Sequence, residues 1–305
     1  MLAPDPVAIL LLDGGTGREL KRIGAPFAQP EWSAKALLEA PHFVTRVHEA
    51  YVAAGADVIT TNSYALVPFH IGAQRFRQRG AELAALAGRL ARNVANQAQR
   101  PVAVAGSLPP IGGSYRAELF DANAARPILA TLVDVLRPSI DHWQAETLSL
   151  IAEAQLVRDV VGEDGKPLWL SFTLADDRSS TQTARLRSGE AAADAVAAAI
   201  ELKAAAVLFN CSQPEVMGAA VTSAAQVLRD RGIAAGAMRI GVYANAFPPL
   251  GAAAEANADL NEIRADLQPN AYLGWARDWV ARGANIIGGC CGIGPEHIAA
   301  LRAGL

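Results

Sequence analysis

Two hydrophobic periods alternate along the chain. Short apolar or β-branched runs, such as VAILLLD (7–13), PVAVAGS (101–107), PLWLSFT (167–173), AAVLFNC (205–211) and RIGVYAN (239–245), have the length and composition of buried strands. ADVITTN (56–62), ANIIGG (284–289) and a weaker IDHWQAE (140–146) extend the series. Between these runs lie longer, Ala/Leu-rich segments. In 73–98 the residues Phe76, Leu83, Leu86, Leu90 and Val94 recur every three to seven positions, which places them on one buried helical face. Pro41 and Gly55 bracket a helix, since Pro suits a first turn and Gly a stop. Further helices are predicted over 122–138, with Pro127 in the first turn, and over 149–161, 188–204, 214–231, 271–283 and from Pro295 onward.

Strand and helix thus alternate eight times, with no linker and no break in composition. Such alternation predicts a parallel sheet covered by helices. Eight units within 305 residues predict a (β/α)8 TIM barrel, one domain over residues 1–305. A doubly wound open sheet of that many strands would be unusually wide. A longer connection is expected at 246–269.

Composition narrows the partners. The chain is 51% hydrophobic and only 19% charged, with a net charge of −3 and a pI near 6.0. No Lys/Arg cluster of the kind that binds nucleic acid or anionic membranes is present. No apolar run reaches the length of a membrane span. The start lacks a basic leader, so a cytoplasmic protein is expected, with its thiols reduced. Small-molecule substrates are the expected partners, and assembly into a homo-oligomer is compatible with the sequence.

The chain has three cysteines, and two of them are adjacent, in NIIGGCCGIG (285–294). Cys211 ends the sixth predicted strand; Cys290 and Cys291 follow the eighth. In a barrel these are C-terminal strand ends, where active sites form. Adjacent residues of a regular strand face opposite ways, so both sulfurs can point inward only if the chain leaves the strand and turns. Gly288, Gly289 and Gly292 are expected to supply the backbone angles that this turn requires. Three thiolates suit zinc with a fourth position open. Spacing alone leaves three other readings: buried apolar cysteines, a disulfide between the neighbours, and a three-cysteine iron–sulfur cluster in a lyase or radical enzyme.

Longer stretches carry a resemblance. LLDGGTGREL (11–20), EWSAKALLEAP with VHEAYVAAGADVITTNSY (31–64), FNCS (209–212), GGCCG (288–292) and PEHI (295–298) resemble the homocysteine S-methyltransferase family over about residues 9–300. The resemblance implies a (β/α)8 barrel in which Cys211, Cys290 and Cys291 hold Zn2+ and the homocysteine thiol takes the open position. It implies that Asp13 and Glu146 bind the substrate ammonium group, and that Thr61, with backbone N–H groups near Gly14, binds the carboxylate. Glu153 is the nearest alternative to Glu146. Asn245 in VYANAF would lie beside the zinc, as a ligand when substrate is absent or as a hydrogen-bond donor to a cysteine sulfur. Ala244 stands where the family often has Pro, and Ala246-Phe247 where a small residue and Gly are common.

Within that family the methyl donor varies. Folate- and cobalamin-dependent members carry extra domains, and nothing is left over here beyond one barrel. The expected donor is a sulfonium compound, S-methylmethionine or S-adenosylmethionine, with betaine the alternative donor and selenocysteine an alternative acceptor. Trp32 and Tyr64 are candidates for contacting a methylated cation through their ring faces. A non-catalytic relative that only senses an amino acid or a metal is the remaining reading.

Overall fold

The computed structural model describes residues 8–177, 181–248 and 262–305. Its strands are β1 (Leu10–Leu11), β2 (Val58–Thr60), β3 (Ala103–Leu108), β4 (His142–Leu148), β5 (Leu168–Phe172), β6 (Ala206–Asn210), β7 (Arg239–Ala244) and β8 (Ile286–Gly289). The helices are α1 (Thr16–Arg22), α2 (Ser33–Glu39), α3 (His42–Ala54), α4 (Pro68–Ile71), α5 (Ala73–Gln97), α6 (Ala122–Leu136), α7 (Ile151–Val161), α8 (Ala192–Glu201), α9 (Pro214–Asp230), α10 (Pro269–Arg282) and α11 (Pro295–Gly304).

From β2 to β8 each strand pairs in parallel with the next, and β8 pairs with β1. Leu12 bridges to Val58, and the Asp13 N–H donates to the Val58 carbonyl at 3.0 Å, so β1 also meets β2. The ring is closed, which is the expected (β/α)8 barrel and excludes the open sheet. Alternation along the strands splits the core in two. Leu12, Val58, Ala105, Trp169, Ala206, Leu208 and Ile286 pack inside the ring. Their strand neighbours, such as Leu11, Ile59, Val104, Leu170, Val207 and Ile287, pack outward against the helices. Among the described residues no helix is long and apolar enough to cross a membrane.

Several boundaries differ from expectation. Regular pairing of the first strand covers only Leu10–Leu11, and residues 1–7 lie outside the described residues. The fourth strand runs later than 140–146 because it continues past an irregularity after Ala145. Pro127 sits in the second turn of α6, not the first. The N-cap is Asp121, whose carboxylate accepts the N–H groups of Asn123 and Ala124. The helices α1, α2 and α4 were not expected; each has seven residues or fewer, too short for a helical period to show. Gly55 ends α3 at φ 105, as its position predicts. Of the connection 246–269, residues 249–261 lie outside the described residues.

Candidate active site

The loops after the strands surround one cavity at the C-terminal mouth of the barrel. Asp13, Gly14, Thr61, Glu146, Cys211, Cys290 and Cys291 all line it. Asn245, the remaining candidate, is buried beside it but is not part of the lining.

The cysteines arrive by two turns. Cys211 follows the last residue of β6 at φ 51, a left-handed conformation that breaks the strand's alternation. Cys290 follows β8, and its N–H still donates to the Ala244 carbonyl at 2.9 Å. The Cys290 carbonyl then accepts the Ile293 N–H at 3.1 Å, which folds Cys291 back into the cavity. The three sulfurs lie within 4.8 Å of one another. Among the described residues this is the only group of three or more Cys, His, Asp or Glu side chains that converges in this way. The Cys211 sulfur, at the end of β6, adjoins the Cys290 sulfur, after β8, and the Cys291 sulfur stands beside them. Three thiol donors at one point are a set that fits zinc with a position to spare. Burial pushes the Cys291 thiol up to about 11, opposed by the Arg18 guanidinium nearby. A thiol there becomes a thiolate at neutral pH only with a strong positive charge beside it.

The glycines serve close approach more than turning. Of the three in GGCCG only Gly292 has a positive φ, 84. Gly288 and Gly289 are ordinary strand residues, and the expectation that they supply unusual angles is corrected. A Cβ on Gly288 would meet Leu12 Cβ at 2.5 Å, and one on Gly289 would collide with the Ile293 side chain. On the facing loop, a Cβ on Gly14 would strike the Ile293 carbonyl oxygen, and one on Gly15 would meet the Cys290 carbonyl oxygen at 2.6 Å. The DGGTG turn and the GGCCG turn thus pack backbone to backbone, and side chains are excluded from the seam.

Two carboxylates share the cavity with the sulfurs, Asp13 buried and Glu146 half-buried. Asp13 Oδ2 accepts the Thr60 N–H at 2.7 Å, and Oδ1 accepts the Thr60 hydroxyl at 2.9 Å. Burial nevertheless pushes its acid up to about 7, with Glu146 adding to the rise. Glu146 sits at the irregularity of β4, where Thr147 has φ 62. Its carboxylate accepts hydrogen bonds from the Ser107 hydroxyl and from the Tyr243 hydroxyl, the latter at 3.3 Å. Burial raises the Glu146 acid as well. Neither carboxylate has an ion-pair partner among the described residues; their bonds come from N–H and hydroxyl donors. Two carboxylates withdrawn from water without a counter-ion are costly, and a bound cation relieves that cost.

Glu153 is elsewhere. Its carboxylate accepts the N–H groups of Ser149 at 2.6 Å and Leu150 at 3.3 Å, and so caps the start of α7. The Thr61 hydroxyl already accepts the Ser107 N–H at 3.0 Å and pairs with the Ser63 hydroxyl at 2.9 Å, tying the second loop to the third. The Gly15 N–H is taken by the Ile293 carbonyl at 2.9 Å, which leaves Gly14 as the candidate donor in that turn. Asn245 Oδ1 accepts the Phe247 N–H at 3.2 Å, while its Nδ2 is buried with no partner. That orientation offers an N–H, not an oxygen, to whatever lies beside it.

Trp32 and Tyr64, the aromatic candidates named from the sequence, line the cavity, and Tyr115 and Tyr243, which carried no signal there, complete its aromatic walls. Asn210, in the FNCS stretch, binds Thr147 and Ser171 across the strand ends.

The family model for homocysteine S-methyltransferase matches residues 10–305. The chain belongs to this family. It is a methyltransferase, which sets aside the iron–sulfur lyase and the non-catalytic sensor. The homocysteine S-methyltransferase of Escherichia coli K12 is 32% identical over 321 residues, covering 98% of this chain and 96% of its own length. The selenocysteine methyltransferase of Astragalus bisulcatus is 27% identical over 330 residues, covering 94% of this chain and 90% of its own. Among solved structures, the homocysteine methyltransferase MmuM from Escherichia coli in its metallated form superposes with a TM-score of 0.73 at 28% identity, over 98% of this chain and 97% of that one. Its oxidised form matches with the same TM-score.

Proposed function

We propose that this methyltransferase moves a methyl group from a sulfonium donor to the thiol of L-homocysteine, giving methionine, with zinc held by Cys211, Cys290 and Cys291. The observation that carries the reading is the pairing of two groups in one cavity: three converging sulfurs, and two carboxylates with no ion-pair partner among the described residues. An amino acid that bears a thiol satisfies both.

Zinc held by three cysteines would keep a fourth, substrate sulfur deprotonated at neutral pH. The protein's own groups do the rest. Asp13 and Glu146 take the ammonium group, each held in place by hydroxyl donors from other strands of the barrel. Thr61 and the Gly14 turn, which line the same cavity, would take the carboxylate. The homocysteine sulfur, fixed at both ends, attacks the methyl carbon in line. The S–CH3 bond forms as the donor's own C–S bond breaks, and the electron pair leaves with the donor sulfur as a neutral thioether. Trp32 and Tyr64 line the same cavity and offer ring faces to the cationic donor. The buried Nδ2 of Asn245 suits hydrogen bonding to a cysteine sulfur better than metal ligation. A reducing compartment, the cytoplasm, would keep the three thiols available.

The test is methionine formation from homocysteine by zinc-loaded, reduced protein, with S-methylmethionine, S-adenosylmethionine and betaine supplied in turn. A sulfonium donor is expected to work. Turnover with betaine alone would overturn the donor assignment, and turnover of selenocysteine but not homocysteine would overturn the acceptor.

A further inference from the structure

Tyr115 reaches the cavity from the long loop between β3 and α6, a segment with no motif. Its own φ is 68, and its hydroxyl donates to the carbonyl oxygen of Cys211 at 3.1 Å. Cys211 has a left-handed φ of 51, which an L-residue adopts only where its surroundings impose it. A bond to the Cys211 carbonyl orients the peptide that leaves this residue, and with it the turn from which the sulfur projects.

The ring of Tyr115 is itself held. The Arg187 guanidinium lies 4.4 Å from the ring centroid. Arg187 pairs with Asp176 at 2.7 Å, with side chains only 7% and 1% exposed. Asp176 in turn accepts the N–H of Gln213 at 3.0 Å, two residues beyond Cys211. The contacts form a closed circuit: Tyr115 to Cys211, along the chain to Gln213, across to Asp176, to Arg187, and back to the Tyr115 ring. Three loops are locked around a single residue.

We propose that Tyr115 is a positioning residue for Cys211, fixing through its hydroxyl the backbone turn that aims the Cys211 sulfur at the metal site. With Arg187 already on one face, the ring serves this anchoring role better than that of a second platform for the cationic donor. The inference rests on the reading of the three cysteines as metal ligands.

The experiment uses the full chain, reduced and metal-free, titrated with Co2+ against a chelator and followed by visible absorption. Tyr115→Phe keeps the ring and removes only the hydroxyl. It is expected to weaken Co2+ binding by about ten- to hundred-fold, as loss of a group that orients a ligand does. The cobalt absorption bands should shift. In the zinc-loaded enzyme kcat should fall while KM for homocysteine stays near the parent value. Arg187→Lys keeps a cation for Asp176 but removes the planar stack, and should shift affinity and bands in the same direction by less. Parent-like affinity and bands in Tyr115→Phe would overturn the role of Tyr115 alone. A parent chain that takes up no Co2+ would overturn the ligand reading and this role with it.

Discussion

Asn210 and Thr147 bind each other twice. The Asn210 side chain accepts the Thr147 N–H at 2.9 Å and donates to the Thr147 hydroxyl at 2.9 Å. One of these residues precedes Cys211 and the other follows Glu146, so the cysteine end and the Glu146 end of the cavity share a clamp. Asn210→Ala removes both bonds and a third, from the Ser171 hydroxyl at 2.8 Å. Leaving the buried Thr147 N–H unpaired costs roughly 1–3 kcal/mol. The expected outcome is a lower Tm, weaker zinc retention against a chelator and a higher KM for homocysteine in the same variant. A variant that changes only one of the two ends would show that the clamp does not couple them.

Glu146 and Glu153 should separate cleanly. Glu146→Gln keeps shape and removes the charge, and with it a charge-assisted bond of roughly 1.5–3 kcal/mol. That corresponds to about ten- to hundred-fold in homocysteine binding. Zinc content should not change, because the cysteines remain. A simple thiol without an amino group should be methylated equally, and poorly, by variant and parent. Glu153→Ala should do the reverse. It uncaps α7, lowering stability by about 1 kcal/mol, with KM for homocysteine untouched. Steady-state kinetics and thermal melting of the two variants decide the assignment.

The elements and the convergence of the three cysteines are legible in the sequence for a simple reason. Strands apolar on both faces and helices apolar on one leave different periods, and three cysteines at strand ends are a rare residue type in a telling place. What stayed hidden depends on which loop faces which. Thr61 drew attention, yet its neighbour Thr60 holds Asp13 through both its N–H and its hydroxyl. Nothing local distinguishes the two. Tyr115 lies 96 residues from the Cys211 carbonyl that it binds, and only the closed ring brings them together. Gly288 and Gly289 were visible as glycines, but the sequence does not say which property is used. Here it is the missing Cβ, not the freedom in φ.

That distinction can be tested at Gly15, whose added Cβ would lie 2.6 Å from the Cys290 carbonyl oxygen. Gly15 has φ −71, which any residue adopts, so Gly15→Ala introduces a clash and no backbone strain. The facing loop must retreat, at a cost of roughly 1–3 kcal/mol typical of overpacking. Because that loop carries two of the three sulfurs, zinc binding should weaken along with Tm. Gly72→Ala is the control: it sits at φ 81 in open space, so it should lower Tm through strain and leave zinc binding alone.

Asp13 gives the protein a dependence on pH. Burial pushes its acid up to about 7, so in the free enzyme it is mostly protonated below that pH and charged above it. A substrate ammonium beside it favours the charged form and lowers that value. Binding of homocysteine near pH 6.5 should therefore expel a proton from Asp13, in addition to the one lost by the thiol. Near pH 8.5 Asp13 is already charged, and only the thiol proton should leave. Below pH 7 the apparent affinity from this source falls by up to about tenfold for each unit of acidification. Calorimetric titration in buffers of different ionisation enthalpy counts the protons directly. The zinc-loaded parent should release more at pH 6.5 than at pH 8.5. Asp13→Asn should bind more weakly, and its release should lose the extra proton at pH 6.5. If the variant released as many protons as the parent at both pH values, the group that titrates near neutrality would be a residue other than Asp13.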